Sequence, residues 1–488
     1  MNLLIRLEKV KELWPFLGIL TLFILLRIPS LIEPYWYGDE GIYHVIGDAL
    51  RQGKLLYQDI WDNKPPLLYL LYALGQSDQF IIHLISLLFG LGSVIVFFAL
   101  TIKLFTKSSA RILSATFYAI LFATPFLEGN IANAENFMHL PILLAALFLL
   151  TRKGNDHRTL LLAGLLLGIA FLFKFVAIFD FLAFLVFILL LETKQRFSFE
   201  HVYQVIKTHS ALVVGFLLPL MLTIVYFLLQ GALTDFVSAV FTNNINYVGY
   251  NNQIWIPQGL LFFKLLVLGV AIFLLGKHRK SLPTPFLFTC IWFLFSLFNA
   301  FFSHRPYTHY LLVLLPSFCL FLGMLIENQT RYRKYLLAFF VLCTLYISQF
   351  FSLPSLQKTA LYYQNYLSFV SDKKSVEQYQ GFFDKDTPRD YEVAYYLKNS
   401  TRGKDSIFIW SNSAQIYTLA DKLPPVRYAV AYHIAYDKKA VEQTSRTLDK
   451  VKPRYIVILP DMPFFPFSLP NYEYKATIQD TSVYERIY

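Results

Sequence analysis

Charge is missing from long stretches of this sequence, and cysteine is nearly absent from all of it. Ile19 to Leu26, Phe80 to Leu100, Leu140 to Leu150, Ala211 to Leu229, Leu260 to Leu275, Phe286 to Phe302, Leu311 to Ile326 and Leu336 to Phe351 are almost free of Asp, Glu, Lys and Arg. Runs of that length exclude an ordinary soluble domain. The three cysteines, Cys290, Cys319 and Cys343, all lie in or beside these runs, which excludes disulfides as braces for water-exposed parts. No glycine-rich phosphate loop, Walker sequence, nucleotide-binding βαβ unit or Ser-His-Asp arrangement is visible. Nucleotide sugars and ATP are therefore poor substrate candidates. Internal repeats and low-complexity tracts are also lacking.

What is present is hydrophobic residue, 56% of 488, where a soluble domain carries about 45–50%. A hydrocarbon core about 30 Å thick needs roughly 20 such residues per helix, and about eleven spans fit. They run near 13–31, 80–102, 109–127, 132–150, 160–174, 176–191, 210–229, 259–276, 285–303, 309–327 and 335–352. Leu160 to Leu191 is long for one span and short for two. Lys174 and Asp180 interrupt it, and two short helices turning near Lys174 keep the charge pattern consistent. The net charge of +11 could speak for nucleic acid, but the basic residues alternate from loop to loop. They cluster at Arg6/Lys9/Lys11, Lys103/Lys107/Arg111, Arg152/Lys153/Arg158, Lys194/Arg196/Lys207, Lys277/Arg279/Lys280 and Arg331/Arg333/Lys334. Positive loops face the cytoplasm, so the expected amino terminus is cytoplasmic, and no nucleic-acid partner is expected. The first span lacks a small-residue cleavage site and reads as a retained anchor.

Two domains are expected: a transmembrane catalytic domain, 1–352, with outer-face loops 33–79 and 230–258, and a soluble extracytoplasmic α/β domain, 353–488. In the first loop Tyr43, His44, Ile46, Leu50 and Leu55 to Tyr57 form a partly amphipathic pattern. It suits helices lying along the membrane, with Trp36, Tyr37, Tyr57 and Trp61 at headgroup depth. The second loop has amides and aromatics, including Asn243, Asn246 and Tyr247, and no Lys or Arg. It reads either as an interfacial loop or as a platform for acceptor or sugar. Past Phe351, strands are expected at Ser406–Trp410, Val426–Ala431, Tyr455–Leu459, Tyr472–Ile478 and Val483–Ile487. Helices are expected at Pro388–Asn399, Ala414–Ala420 and Lys438–Lys450, the first capped by Thr387 with Pro388 behind it.

The residues that carry chemistry sit at predicted span ends. Asp39 and Glu40 follow the first span. Either they are solvated acids at a helix start, or Asp39 is a general base and Glu40 orients an acceptor or holds a metal. Glu135, near the end of an apolar helix with Glu128 on the loop before it, is costly there and is a functional candidate. Lys64, Lys174, Arg305, His309 and Tyr310 form a set predicted at the outer face, where the charge rule would not put cations. Arg grips phosphate oxygens bidentately, Lys supplies a point charge and Tyr donates a hydrogen bond. A lipid phosphate is the anion this set suits.

Four stretches carry a family resemblance: Gly38-Asp39-Glu40-Gly41-Ile42-Tyr43, Asn63-Lys64-Pro65-Pro66-Leu67, Phe173-Lys174, and Arg305-Pro306-Tyr307-Thr308-His309-Tyr310-Leu311 through Leu315-Pro316. With them the chain resembles the GT-C membrane glycosyltransferases, in the branch similar to bacterial protein O-mannosyltransferases and the lipid A aminoarabinose transferase (PMT-like). The resemblance implies a bacterial inner-membrane enzyme and an inverting transfer of sugar from a polyprenyl-phosphate donor to a glycan, lipid or protein acceptor. It implies Asp39 as the base and Lys64, Lys174 and Tyr310 near the donor phosphate. Relatives often carry arginine where this chain has Ile42, and Asp where it has Glu135. No cofactor is certain; a divalent metal, held by Asp39, Glu40 and Glu135, is a possibility the resemblance leaves open. The alternative is a flippase or transporter of lipid-linked sugars without transferase activity.

Overall fold

The structure, a computed structural model, describes residues 12–154, 156–192, 203, 207–254, 256–327 and 333–487, except the side chains of Asn246, Tyr247 and Tyr250. The basic clusters at Arg6/Lys9/Lys11 and Lys194/Arg196, and Arg331, lie outside the described residues. A helix forms in each apolar segment: Leu13–Arg27, Gln79–Leu104, Ser108–Ala123, Ala134–Thr151, His157–Phe173, Ile178–Glu192, Ser210–Leu229, Gly259–His278, Thr284–Ala300, Leu315–Glu327 and Arg333–Phe350. Seven segments among the described residues are long and apolar enough to cross a membrane, and three shorter apolar helices accompany them. Helices satisfy every backbone polar group within the segment, which hydrocarbon demands. The chain is a multi-pass α-helical membrane protein with a small sheet-bearing domain at its C-terminal end.

It divides into two compact units. The first comprises Met1–Ile28, Ser86–Tyr226 and Phe241–Ala360. Its helices meet through small residues and aromatic rings. A Cβ on Gly164 would run into the backbone of Leu212, and one on Gly215 into the backbone of Leu161. The helices His157–Phe173 and Ser210–Leu229 thus approach backbone to backbone, as small residues permit in lipid. Rings of Phe97 and Tyr118 stack at 4.2 Å, and the Tyr118 hydroxyl lies 2.9 Å from His139 Nδ1. Asp180, buried in its helix, accepts from Trp292 Nε1 at 2.7 Å. The helix His157–Phe173 ends where expected: Lys174 is extended (φ −153°, ψ 126°) before the next helix begins at Ile178.

The second unit comprises Pro29–Ile85, Phe227–Val240 and Leu361–Tyr488. Its four-stranded sheet has the order β1 (Ile407–Trp410), β2 (Tyr455–Ile458), β4 (Thr481–Arg486), β3 (Tyr472–Ile478). β1 and β2 run parallel, with the helix Lys438–Val451 in the crossover between them, and the other two pairs are antiparallel. All four residues of β1 are buried, the pattern of a strand covered on both faces. Phe408, Trp410, Ile434, Leu448, Ile456 and Phe467 make the core.

Three expectations are corrected here. Val426–Ala431 is no strand: Ala431 N–H bonds to Ser411 O at 2.8 Å and Arg427 O accepts from Trp61 N–H at 2.9 Å, so its backbone serves loops. Thr387 is not the cap of its helix; Asp386 precedes the helix, and Thr387 is the buried first residue. The stretch after Gly231 is helical rather than open loop, with Leu233–Val237, a wide π turn over Ser238–Thr242 and Asn243–Tyr250.

Candidate active site

In the second unit, Tyr37 is extended and the helix Gly38–Arg51 begins behind it, with Asp39 and Glu40 in its first turn. Negative charge is favoured there by the helix dipole. Adjacent helical residues point about 100° apart, so the two acids part company. Asp39 is partly exposed. Its Oδ2 accepts from Lys64 Nζ at 3.2 Å and from the Tyr43 hydroxyl at 3.0 Å. Lys64 also lies 4.8 Å from the Tyr43 ring centre and 3.8 Å from Asp62 Oδ2. Asp62 is buried and accepts from the Tyr69 hydroxyl at 2.6 Å, and that same hydroxyl receives the Lys64 N–H at 3.2 Å. Burial pushes the Tyr57, Tyr69 and Tyr72 phenols well above their ordinary range, so all three are neutral, and Tyr57 and Tyr69 donate hydrogen bonds.

Glu40 faces inward. It is buried and meets His83 Nε2 at 3.1 Å and Gln79 Nε2 at 2.9 Å. His83 Nδ1 lies 2.5 Å from Ser30 O, and Gln79 Oε1 lies 2.7 Å from His44 Nε2. Burial lowers His44 from its ordinary range to about 4, so the ring is neutral and its Nε2–H donates to Gln79. Asp39 and Glu40 therefore do different things: one presents a carboxylate, the other ties the helix to its neighbours.

The first unit holds a second constellation. Glu135, buried in the first turn of its helix, accepts from Lys174 Nζ across a short contact. The same ammonium lies 4.7 Å from the Tyr310 ring centre, within cation–π range. His309 Nδ1 is 3.0 Å from Glu128 Oε2, and the Thr308 hydroxyl donates to Glu128 Oε1. His309 and Tyr310 pack edge to face at 4.8 Å. Arg305 is half-buried just before them. Asn243 is half-buried on its short helix; the side chains of Asn246 and Tyr247 lie outside the described residues.

Lys64, Lys174 and His309, which the sequence suggested would meet an anion, each face a carboxylate within the protein. The residues missed from sequence are Asp62 and Tyr69, beside Lys64, and Gln79 and His83, beside Glu40. Gln79 and His83, four apart on one helix face, gave the one local signal. Among the described residues no group of three or more His, Cys, Asp and Glu stands together as a metal would need. Asp39 Oδ2 holds the Lys64 ammonium, and Glu40 is engaged by His83 and Gln79.

The dolichyl-phosphate-mannose-protein mannosyltransferase family model matches residues 64–222. That segment holds Lys64, Glu135 and Lys174 and stops short of Asp39 and of residues 305–310. The fold is similar to ArnT from Cupriavidus metallidurans bound to undecaprenyl phosphate, with TM-score 0.55, 13% identity, and coverage of 97% of this chain and 98% of that one. The archaeal oligosaccharyltransferase AglB from Archaeoglobus fulgidus, in complex with an inhibitory peptide and a dolichol-phosphate, aligns at TM-score 0.48 and 12% identity over 92% of this chain and 69% of its own. No curated protein matches the chain in sequence. The PMT-like resemblance is borne out over residues 64–222, and the fold as a whole is similar to that of ArnT.

Proposed function

We propose, for a chain that is PMT-like by family match and GT-C by fold, that it is a membrane glycosyltransferase moving a sugar from a polyprenyl-phosphate donor to a hydroxyl acceptor at the outer face of the bacterial inner membrane. The acceptor is a glycan, lipid or protein. The observation that carries the reading is the Asp39–Lys64–Tyr43 cluster: a carboxylate open to solvent, with an ammonium at 3.2 Å that can be drawn away by a stronger anion. When the donor phosphate arrives, Lys64 exchanges Asp39 for a phosphate oxygen. Asp39, relieved of its counter-charge, becomes a better base. It takes the acceptor's proton, the acceptor oxygen bonds to the anomeric carbon from the side opposite the phosphate, and the carbon–oxygen bond to the lipid phosphate breaks with inversion. In the other unit, Lys174 faces Glu135 and His309 faces Glu128.

Glu40 is reassigned from acceptor orientation to anchoring the Asp39 helix, which its contacts with His83 and Gln79 support. Proteoliposomes holding the full chain and a polyprenyl-phosphate sugar test the whole reading. Sugar bonded to a new acceptor is expected. Translocation of intact lipid-linked sugar with no new glycosidic bond would establish the flippase instead.

A further inference from the structure

Lys64 stands at the end of a loop that folds back on itself. Tyr57 N–H donates to Ile60 O at 2.7 Å, and Asp59 N–H to Leu55 O at 2.8 Å. Lys64 is tied to this turn by Tyr57, whose hydroxyl donates to the Lys64 carbonyl at 2.7 Å. Tyr57 itself has a φ of +68°, a left-handed conformation that a bulky side chain adopts only where its surroundings impose it. Those surroundings come from two distant parts of the sequence within the same unit. The ring packs on Phe227 and Phe236 at 5.3 and 5.7 Å. The carbonyl accepts from the Arg427 guanidinium, which also donates to Asp235 Oδ1 at 2.8 Å. Trp61 N–H donates to Arg427 O at 2.9 Å, and its ring lies against Tyr428 at 5.6 Å and His433 at 4.8 Å. The helix that carries Asp39 is docked on the same region: a Cβ on Gly41 would come within 2.9 Å of the Gln415 backbone nitrogen.

We propose that Arg427, on the C-terminal part of the chain, is a positioning residue for Lys64, acting through the carbonyl and hydroxyl of Tyr57 to hold the ammonium opposite Asp39. The C-terminal region is then a working part of the candidate site rather than an appendage. The inference deepens the functional reading and rests on it for what Lys64 does, but the geometry it asserts is measurable apart from activity. Lys64 acetylation by sulfo-NHS acetate, followed by mass spectrometry, and hydrogen exchange of residues 55–64 are read on the full chain in detergent. Arg427→Ala is expected to raise both rates about tenfold while exchange in β1–β4 stays unchanged, and Arg427→Lys is expected to restore most of the protection. If Arg427→Ala loosens β1–β4 as well, Tyr57→Phe decides alone. It removes only the hydroxyl bond to Lys64 and is expected to raise Lys64 acetylation with the sheet intact. Acetylation of Lys64 within twofold of the wild type in the variants that keep the sheet intact overturns the proposal. Undecaprenyl phosphate binding by the wild type is measured beside it. Failure to bind would sink the functional reading while leaving the positioning question to the labelling data.

Discussion

Two lysine–carboxylate pairs join candidate site residues, one in each compact unit, and their surroundings differ. The Lys64 and Asp39 side chains are 19% and 34% exposed. Those of Lys174 and Glu135 are 12% and 2% exposed, with the Tyr310 ring beside the ammonium. Attraction between charges that reach water is screened, to about 0–1 kcal/mol when both are fully exposed, so the partly exposed Lys64–Asp39 pair is the cheaper of the two to open. A buried charge that loses its partner costs roughly 3–5 kcal/mol. The same chemical pairing thus makes an exchangeable contact in one place and a fixed one in the other. A base must be free to take a proton, so Asp39 is the better placed of the two carboxylates for that task. Glu135 is better suited to holding Lys174 ready at the helix break.

The sharpest way to break this contrast is to remove one partner from the buried pair. Lys174→Met is expected to destabilise the full chain by about 3–5 kcal/mol, read by denaturation in detergent, and adding Glu135→Gln to recover most of that loss. A Lys174→Met chain as stable as the wild type would mean that the two pairs do not differ. A smaller effect is expected from pH. His44 is buried and held near 4, below its ordinary value near 6.5. Its contribution is complete above pH 6.5 and is lost as pH falls through 4. Stability should drop by about 2 kcal/mol for this residue between pH 7 and 5, and His44→Gln should flatten the profile. His433, lowered to about 4 by burial, adds in the same direction. Asp390, raised to about 6 by burial, binds its proton earlier in the folded state and opposes them between pH 6 and 4. A wild-type profile unchanged by His44→Gln would contradict the buried neutral ring. The smallest effect is assigned to Asp39→Asn, which leaves Lys64 facing Asp62: below about 1 kcal/mol in stability; a loss as large as that of Lys174→Met would show that the partly exposed pair is structural too.

Much of this was legible beforehand, for a physical reason. Hydrocarbon leaves its mark on every residue of a span, so the apolar helices could be read segment by segment, and the break at Lys174 followed from one cation in an apolar run. Asp39, Lys64, Glu135 and Lys174 were visible because charge is rare beside such runs. Their pairing was not visible: Asp39 meets Lys64 across 25 residues and Lys174 meets Glu135 across 39, and neither separation has a local signature. Arg427 reaches Tyr57 across 370 residues, beyond any pattern argument. The strand expected at Val426–Ala431 failed for a related cause. Its composition suits a strand, but its backbone partners are Trp61 and Ser411, fixed by tertiary contact rather than by propensity. The burial of Tyr57 under Phe227, Phe236 and Arg427 is likewise a long-range fact.

The central claim is that Asp39 removes the acceptor's proton. It is tested most directly by measuring sugar transfer and undecaprenyl phosphate binding side by side for the wild type and Asp39→Asn in proteoliposomes. The account predicts transfer lowered by about 10²–10⁴-fold, the range for losing a general base, with lipid-phosphate binding within a few-fold of the wild type. Transfer at close to the wild-type rate in Asp39→Asn would contradict it.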